Sequence, residues 1–207
     1  PASIHHFLKA KEEGLEGYLA YDDHRRSWFI DSALSAMPTL QEIQRSTWGE
    51  YRLWSAGPWQ LVQARRRAAS SEGAVVDLSR QLQGGSLHKT IALSRSAPRV
   101  SFRYQLKDLA IPVVGLEWNV CLRDERLREP SWQERVSRLQ IDDETLQVRL
   151  AVAIDPPASL ATFPIETVSE SEQGLERTRQ GLALVWLWPT DGQPAWGCRL
   201  DWTIEDR

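Results

Sequence analysis

Long apolar runs are missing from this 207-residue sequence, since no run reaches the roughly 18 apolar residues that a membrane-spanning helix requires. An excess of one charge is also missing, because 26% of the residues are charged and the net charge is −3. A protein that binds nucleic acid is expected to carry a basic surface. We therefore predict a globular protein whose partners include neither a membrane nor a nucleic acid.

Motifs of the common catalytic and cofactor sites are equally scarce. There is no Gly-x-Ser-x-Gly element and no glycine-rich phosphate loop. The histidines, His5, His6, His24 and His88, show no metal-ligand spacing beyond the adjacent pair. The sequence predicts no metal, no cofactor and no activated nucleophile.

Cysteine is rare, with Cys121 and Cys198 as the only two. Both lie in strand-like segments and lack the spacing of a metal site. We expect two buried, reduced thiols, which favours a reducing compartment such as the cytoplasm.

The dominant pattern in the chain is an alternation of apolar and polar residues, which is typical of strands with one buried face. The segment from Gly181 to Trp188, GLALVWLW, is apolar on both faces and predicts a central strand covered on both sides. The one helix signal is Thr39 followed by Glu42, a capping box. The alternating segments are RVSFRYQL (99–106), VVGLEWNVCL (113–122), TLQVRLAVAI (145–154) and AWGCRLDWTI (195–204).

Turn residues separate these segments, at Gly84-Gly85, Pro98, Pro156-Pro157 and Asp191-Gly192. Internal repeats and linker-like stretches are absent from the sequence. We predict an all-β antiparallel sandwich of about a dozen strands that forms one domain over residues 1–207.

Tryptophan is abundant, with ten residues. Five of them lie in apolar strand positions, where burial of the large ring is expected. Trp48 and Trp132 instead have polar neighbours, so each is a candidate aromatic platform for a sugar as well as a candidate core residue. Those expected in the core are Trp118, Trp186, Trp188, Trp196 and Trp202.

Two stretches concentrate carboxylates near arginines. They are LAYDDHRRSWFID (19–31) and FPIETVSESEQGLERTRQG (163–181). Such residues either form a structural network of ion pairs or line a cleft that binds sugar hydroxyls. Composition alone leaves both interpretations open.

These stretches carry a resemblance to a known family. YDDHRRSWFID resembles the Tyr-Asp-x-x-x-Arg-x-x-Phe-x-Asp-His-Phe signature in the C-terminal domain of family 57 glycoside hydrolases, the 4-α-glucanotransferase and α-amylase group. GLEWNV (115–120) is similar to its Gly-x-Glu-x-Asn strand, and PIETVSESEQGLERTRQG (164–181) to its Pro-Ile-Glu-Thr-Val-Ser signature. The three occur in the family's order and span residues 14–202.

The resemblance implies a large twisted, galactose-mutarotase-like β-sandwich that packs on a separate catalytic β/α barrel. In the family that barrel carries the catalytic carboxylates, and no part of this sequence is similar to it. No catalytic residue is therefore assigned, and the chain is not expected to be active alone. Its expected role is that of a non-catalytic accessory domain that contacts the barrel and α-1,4-glucan.

The match has one departure and one ambiguity. The family's Asp-His-Phe is replaced by Asp31-Ser32-Ala33, so the histidine is missing. Arg25 or Arg26 can match the family arginine, and the spacing from Phe29 favours Arg26.

The resemblance predicts one charged cluster that faces either the barrel or a glucosyl unit of the substrate. If the cluster faces outward in this way, replacing Arg26 with Ala should lower the melting temperature by only a few degrees. The predicted residues are Tyr21, Asp22, Arg26, Asp31, Glu117, Glu166, Glu170 and Gln180.

Two other functions stay open at this point. A free-standing, mutarotase-like sugar epimerase would need a general acid and a general base, for which Glu166 or Glu170 with His24 or His88 are the candidates. A sandwich could also act as an oligomerisation module and form a homodimer.

Overall fold

The chain forms an antiparallel β-structure with little helix. The structure, a computed structural model, describes residue 26 and residues 29–51, 58–66, 72–82, 84–122, 124–171 and 174–206. Within these ranges there are ten strands and one α-helix, α1, at Leu40–Gln44, with short 3-10 helices at Thr47–Tyr51 and Glu125–Leu127. The strands are β1 Ile30–Leu34, β2 Gln60–Arg66, β3 Glu72–Leu82, β4 Gly85–Ser94, β5 Arg99–Lys107, β6 Val113–Val120, β7 Ser131–Asp143, β8 Val148–Ser171, β9 Gly174–Pro189 and β10 Trp196–Asp206. The all-β prediction is confirmed.

The strands follow the order β1-β6-β9-β8-β10-β5-β4-β3-β2, with β7 beside β8. β8 belongs to both layers of the sandwich, because residues 148–155 pair with β10 and residues 159–171 pair with β9. Layer A contains β1, β6, β9 and the second half of β8. Layer B contains β2 to β5, β10 and the first half of β8.

Pro156 and Pro157, which the sequence indicates as a turn, lie inside β8 where the strand changes layers. That prediction was wrong. Because proline has no N–H to donate to a neighbouring strand, two of them suit the point where one set of cross-strand hydrogen bonds ends and the next begins.

The main core lies between the two layers. The Trp118 ring of β6 lies 5.2 Å from the Phe102 ring of β5 and 4.1 Å from the Trp202 ring of β10, so aromatic side chains from both layers meet. Trp186 and Trp188 are fully buried, whereas Trp196 is partly buried against the same core. The predicted core tryptophans therefore lie where the alternation places them.

β9 is covered on both faces, as predicted. Leu184 and Trp186 face the main core, whereas Ala183 and Val185 face a second core on the outer side of layer A. Gly181 precedes this run, and a Cβ atom there would lie 2.4 Å from the carbonyl oxygen of Val120. Only glycine allows β6 and β9 to approach this closely.

The second core is closed by α1. The Thr39 hydroxyl accepts a hydrogen bond from the Glu42 backbone at 3.3 Å, and the Glu42 carboxylate accepts one from the Thr39 backbone at 2.7 Å, which confirms the predicted capping box. The cap fixes where α1 begins, so that Ile43 points into the second core. In the ranges that the structure describes, no helix has the length and apolar character needed to cross a membrane.

The two thiols differ in exposure, which corrects the sequence prediction. Cys198 is buried in the main core, but Cys121 follows the end of β6 and is exposed. The alternating pattern continues past Val120, whereas the strand ends there, so the pattern misplaced Cys121. Neither thiol is in a disulfide.

We expect one thiol to react under native conditions and both to react after denaturation. Burial, together with the nearby negative charge of Asp31, raises the pKa of the Cys198 thiol well above its ordinary value. Titration with a thiol reagent before and after denaturation checks this. Cys121→Ser is the control and should leave no fast-reacting thiol; two fast thiols, or an intact mass two hydrogens low, would contradict the assignment.

Candidate functional site

Arg26 and Glu117 form an ion pair on the outer side of layer A. Arg26 Nη1 lies 3.2 Å from Glu117 Oε1, which also accepts a hydrogen bond from Asn119 Nδ2 at 3.0 Å. Arg26 Nη2 donates to the Ser46 hydroxyl at 3.3 Å, and the guanidinium lies 5.1 Å above the Phe163 ring. The side chains of Arg26 and Glu117 are 12% and 1% exposed. We call Arg26, Ser46, Glu117 and Asn119 the Arg26 cluster.

Strand pairing explains why Glu117 faces this way. It lies opposite Val185 of β9, whose side chain belongs to the second core, and opposite Ile30 of β1. The neighbouring Leu116 and Trp118 point into the main core. A glutamate on the apolar side of a sheet requires a cation nearby, and Arg26 supplies one.

Asp31 lies on the opposite face of layer A and pairs with Lys89 of layer B. Lys89 Nζ lies 3.3 Å from each carboxylate oxygen of Asp31, and the two side chains are 5% and 3% exposed. The ammonium also lies 5.0 Å from the Tyr104 ring and 5.3 Å from the rings of Phe29 and Trp59. The pair connects the two layers inside the protein.

The surroundings of Asp31 shift the ionisation of its neighbours. Burial lowers the pKa of Lys89, and the negative charge of Asp31 opposes this. Burial also raises the pKa of the Tyr104 hydroxyl well above its ordinary value, and the Asp31 charge adds to that shift. Arg80 is buried beside them with its guanidinium 4.7 Å above the Trp59 ring. We call Asp31, Arg80, Lys89 and Tyr104 the Asp31 cluster.

Glu166 and Gln180 belong to a two-stranded extension of layer A. Among the described strands, β7 pairs with β8 only as far as Thr162, and β6 pairs with β9 only from Leu182. Beyond these residues β8 and β9 pair with each other, and we call residues 166–171 and 174–180 the ribbon.

Polar contacts hold the ribbon together. Arg177 Nη1 lies 3.4 Å from Glu166 Oε2, and Gln180 Nε2 donates to the Thr167 hydroxyl at 3.0 Å. At the base, Arg179 Nη2 donates to the Asp124 carbonyl at 3.3 Å. Glu170 lies in β8 within the ribbon, opposite Leu175.

The two candidate aromatic platforms lie in or against the second core. Trp48 is 1% exposed, so its assignment as an exposed platform was wrong. The reason is tertiary, since the 3-10 helix after α1 turns Trp48 onto the outer side of layer A. Trp132 of β7 is half-buried against the same core and keeps part of its ring accessible.

No group of three or more His, Cys, Asp or Glu side chains among the described residues is arranged to hold a metal ion. His88 lies on β4 with its Nε2 3.0 Å from the Ser86 hydroxyl. His88 and Glu166 have different partners, since His88 contacts Ser86 in β4 and Glu166 pairs with Arg177 in the ribbon, so the acid–base pair that an epimerase would require is not formed between them.

Comparison with known proteins adds the decisive observation. Residues 1–200 match the family described as Alpha-amylase/4-alpha-glucanotransferase, C-terminal. This chain belongs to that family. The C-terminal domain fold accounts for nearly the whole sequence.

Curated relatives of this C-terminal domain are much longer proteins. Alpha-amylase 1 of Dictyoglomus thermophilum is 28% identical over 206 residues, which cover 91% of this chain and 29% of that protein. The 4-alpha-glucanotransferase of Thermococcus kodakarensis is 24% identical over 193 residues, which cover 93% and 28%. The chain therefore spans less than a third of the length of these relatives.

Solved structures show the same fold for the C-terminal domain. The crystal structure of 4-alpha-glucanotransferase from Thermococcus litoralis superposes with a TM-score of 0.69 at 18% identity, covering 100% of this chain and 32% of that chain. A heparinase III structure superposes with a TM-score of 0.53 at 7% identity over 85% of this chain. At such identities the likeness concerns the fold alone.

The C-terminal domain does not gather the predicted site residues into one cluster. Arg26 meets Glu117, as predicted, but Asp31 lies on the other face of layer A and pairs with Lys89. Burial of Asp31 and Glu117 corrects the expectation that they face a second domain or a glucan directly. Glu166 pairs within the ribbon. Tyr21 and Asp22 lie outside the described residues.

Lys89 was missed as the partner of Asp31, although the sequence holds a signal for it. It is one of only four lysines and occupies an inward position of an alternating run, between Leu87 and Ile91. A cation at such a position requires a buried anion, and Asp31 satisfies that requirement 58 residues away.

Proposed function

We propose that this C-terminal domain is the non-catalytic accessory domain of an α-glucan-processing enzyme of glycoside hydrolase family 57, a 4-α-glucanotransferase or an α-amylase. In this proposal it packs on a catalytic β/α barrel and contacts α-1,4-glucan. Family membership over residues 1–200 and the much greater length of the relatives support it. The unpaired cysteines support a reducing, cytoplasmic setting.

The ribbon is the observation that carries the docking part of the proposal. A two-stranded ribbon is at best marginally stable in water by itself. This one extends past the strands that flank it in the described part of the chain, and its Arg177 and Gln180 are exposed. A second body packed against the ribbon would stabilise it, and the catalytic barrel is the partner that we propose.

Carboxylate chemistry supports an accessory rather than a catalytic role. Asp31 is neutralised by Lys89, Glu117 by Arg26 and Glu166 by Arg177. A glycosidase needs two carboxyl groups that flank one bond of the substrate. Two of these three are buried on opposite faces of layer A, so they do not form such a pair.

For the glucan contact we propose the surface near the base of the ribbon. Gln180 supplies an exposed amide, and Trp132 supplies a partly accessible ring at the edge where β7 pairs with β8. A ring face and an amide are groups that bind a sugar, through stacking and through hydrogen bonds to hydroxyls. We assign this surface to an outlying glucosyl unit.

Hydrogen exchange tests both contacts. We expect backbone amides of the ribbon to exchange at least about tenfold more slowly in a protein that also contains the catalytic barrel than in the 207-residue chain alone. The reason is that docking of the barrel would protect the ribbon amides from solvent. Amides of β5, in the centre of layer B, are the internal control and should exchange equally in both. Maltoheptaose should slow exchange further near Trp132 and Gln180.

Two results would contradict the proposal. Equal exchange of the ribbon in the two proteins would show that it is not a docking surface. If maltoheptaose leaves hydrogen exchange unchanged in wild type, as it should in Trp132→Ala, the proposed glucan contact is wrong. The docking proposal is tested separately, by comparing the ribbon in the two proteins.

A further inference from the structure

A polar cavity lies on the outer face of layer B, on the side opposite the main core. It has a volume of about 270 Å³ and crosses strands β2, β3, β4, β5 and β10. Its floor consists of the small or buried side chains Val75, Ala92 and Ser101, which are cross-strand neighbours. Larger polar side chains surround this floor. We call the whole cavity the outer groove.

Three arginines from three different strands reach the outer groove. They are Arg65 of β2, Arg103 of β5 and Arg199 of β10. Cross-strand pairing fixes their relative positions, because Arg103 lies directly opposite Arg199. Like charges directly opposite each other destabilise a sheet, so this placement needs a compensating group.

Two aspartates neutralise two of these arginines. Asp77 accepts from the Thr90 hydroxyl at 2.8 Å and lies 3.4 Å from Arg65 Nη2. Asp201 lies 2.9 Å from Arg199 Nε. Within the cavity the charge of Arg103 is therefore left in excess.

The hydrogen-bond donors of the outer groove that have no acceptor belong to arginine side chains. The side chain of Arg103 forms no hydrogen bond or ion pair with any residue that the structure describes, and it is exposed at the cavity. Arg65 Nε is buried and likewise has no acceptor. Asp155 lies opposite Arg199 in β8 and on the same face of the sheet, but one strand farther from Arg103, and it does not line the cavity.

The geometry points to a binding site for an oxyanion in the outer groove. Guanidinium groups match the oxygens of phosphate, sulfate and carboxylate, often with two parallel hydrogen bonds. The hydroxyls of Thr90 and Ser101 already donate to Asp77 and Asp201, and Arg65 donates to Gln63 and pairs with Asp77, so the ligand supplies acceptors chiefly to Arg103. A volume just below the usual range of small-molecule sites suits one phosphoryl group with or without a single sugar attached.

Charge and donor chemistry favour an anion over a neutral sugar here. The lining contains no aromatic side chain exposed to the cavity, because Phe102 points into the main core. A neutral sugar would leave the Arg103 charge uncompensated. This site is independent of the proposed glucan surface, which lies in layer A.

Calorimetric titration of the 207-residue chain tests the site at constant ionic strength. Inorganic phosphate should bind saturably with one site per chain. Glucose 6-phosphate tests a phosphorylated sugar as the source of the oxyanion, and glucose is the neutral control. Binding of both phosphates supports a phosphorylated sugar, binding of inorganic phosphate alone supports the free ion, and glucose should produce no saturable heat.

Substitution of Arg103 locates the binding. Arg103→Gln should weaken phosphate binding about tenfold or more, since a charge-assisted hydrogen bond is lost. Arg138→Gln removes another exposed arginine, from β7 and outside the cavity, and should leave binding unchanged. Equal losses in the two variants, no saturable phosphate binding, or glucose binding as tight as that of its phosphate would each overturn the assignment.

Discussion

Asp31→Asn should lower the free energy of unfolding of the chain by about 3–5 kcal/mol, because it leaves the buried Lys89 ammonium without its anion. Urea denaturation of wild type and variant measures the difference, with the slope m showing that both unfold to the same extent. Burial already lowers the pKa of Lys89, so the amine of the variant loses its proton more readily as the pH rises. The deficit should therefore shrink toward alkaline pH.

A matched control uses an exposed ion pair. Glu166→Gln removes a carboxylate that pairs with Arg177, where the side chains are 26% and 34% exposed, and should cost about 0–1 kcal/mol. Replacing both Asp31 and Lys89 with apolar residues of similar size should restore part of the loss, since the Lys89 charge is removed while the buried Arg80 keeps its own. If Asp31→Asn lowers the free energy of unfolding no more than Glu166→Gln does, the Asp31–Lys89 pair is solvated and the prediction is wrong.

Arg26→Ala should lower the melting temperature by roughly 6–12 °C, which corresponds to a loss of about 3 kcal/mol in a domain of this size. The variant removes the Arg26 guanidinium from the Glu117 carboxylate, whose side chain is 1% exposed. Calorimetric melting curves provide the measurement. The sequence predicted a loss of only a few degrees, on the assumption that the cluster faces outward.

Two variants separate loss of charge pairing from loss of packing. Glu117→Gln with Arg26→Ala should be more stable than Arg26→Ala alone, because the double change removes the buried charge. Arg177→Ala, in the exposed pair of the ribbon, should move the transition by at most a few degrees. A shift of that small size for Arg26→Ala would return the Arg26 cluster to the surface role that the family resemblance implied.

The strands were predictable because each carries its own local evidence. The alternation at Phe102 and Tyr104 identifies the inward face of β5 without knowledge of its neighbours, and the apolar run before Trp188 identifies a strand that is covered twice. The Thr39 capping box is local as well. In each case the physical cause lies within a few residues of the effect.

The site was harder to predict because its determinants are separated in the chain. Arg26 and Glu117 are 91 residues apart, and nothing in either neighbourhood distinguishes a buried pair from a surface pair. Which face of a strand meets a given loop depends on register and on layer packing. Trp48 was misassigned for the same reason, since polar neighbours in sequence do not exclude an apolar surface supplied by β9.

Because β9 is covered by apolar side chains on both faces, its pairing register is selected in an unusual way. A one-residue slip normally moves apolar side chains into water and is strongly disfavoured. In β9 the slip would exchange Trp186 with Val185 or Leu187, which are apolar too, so hydrophobicity hardly distinguishes the two alignments. Side-chain volume distinguishes them instead, because β9 places Trp186 and Trp188 in the main core and the smaller Ala183 and Val185 in the second core. Gly181 adds a second test, since a slipped alignment would place a side chain against the Val120 carbonyl, where no Cβ atom fits. Correct assembly of this central strand thus depends on shape rather than on polarity.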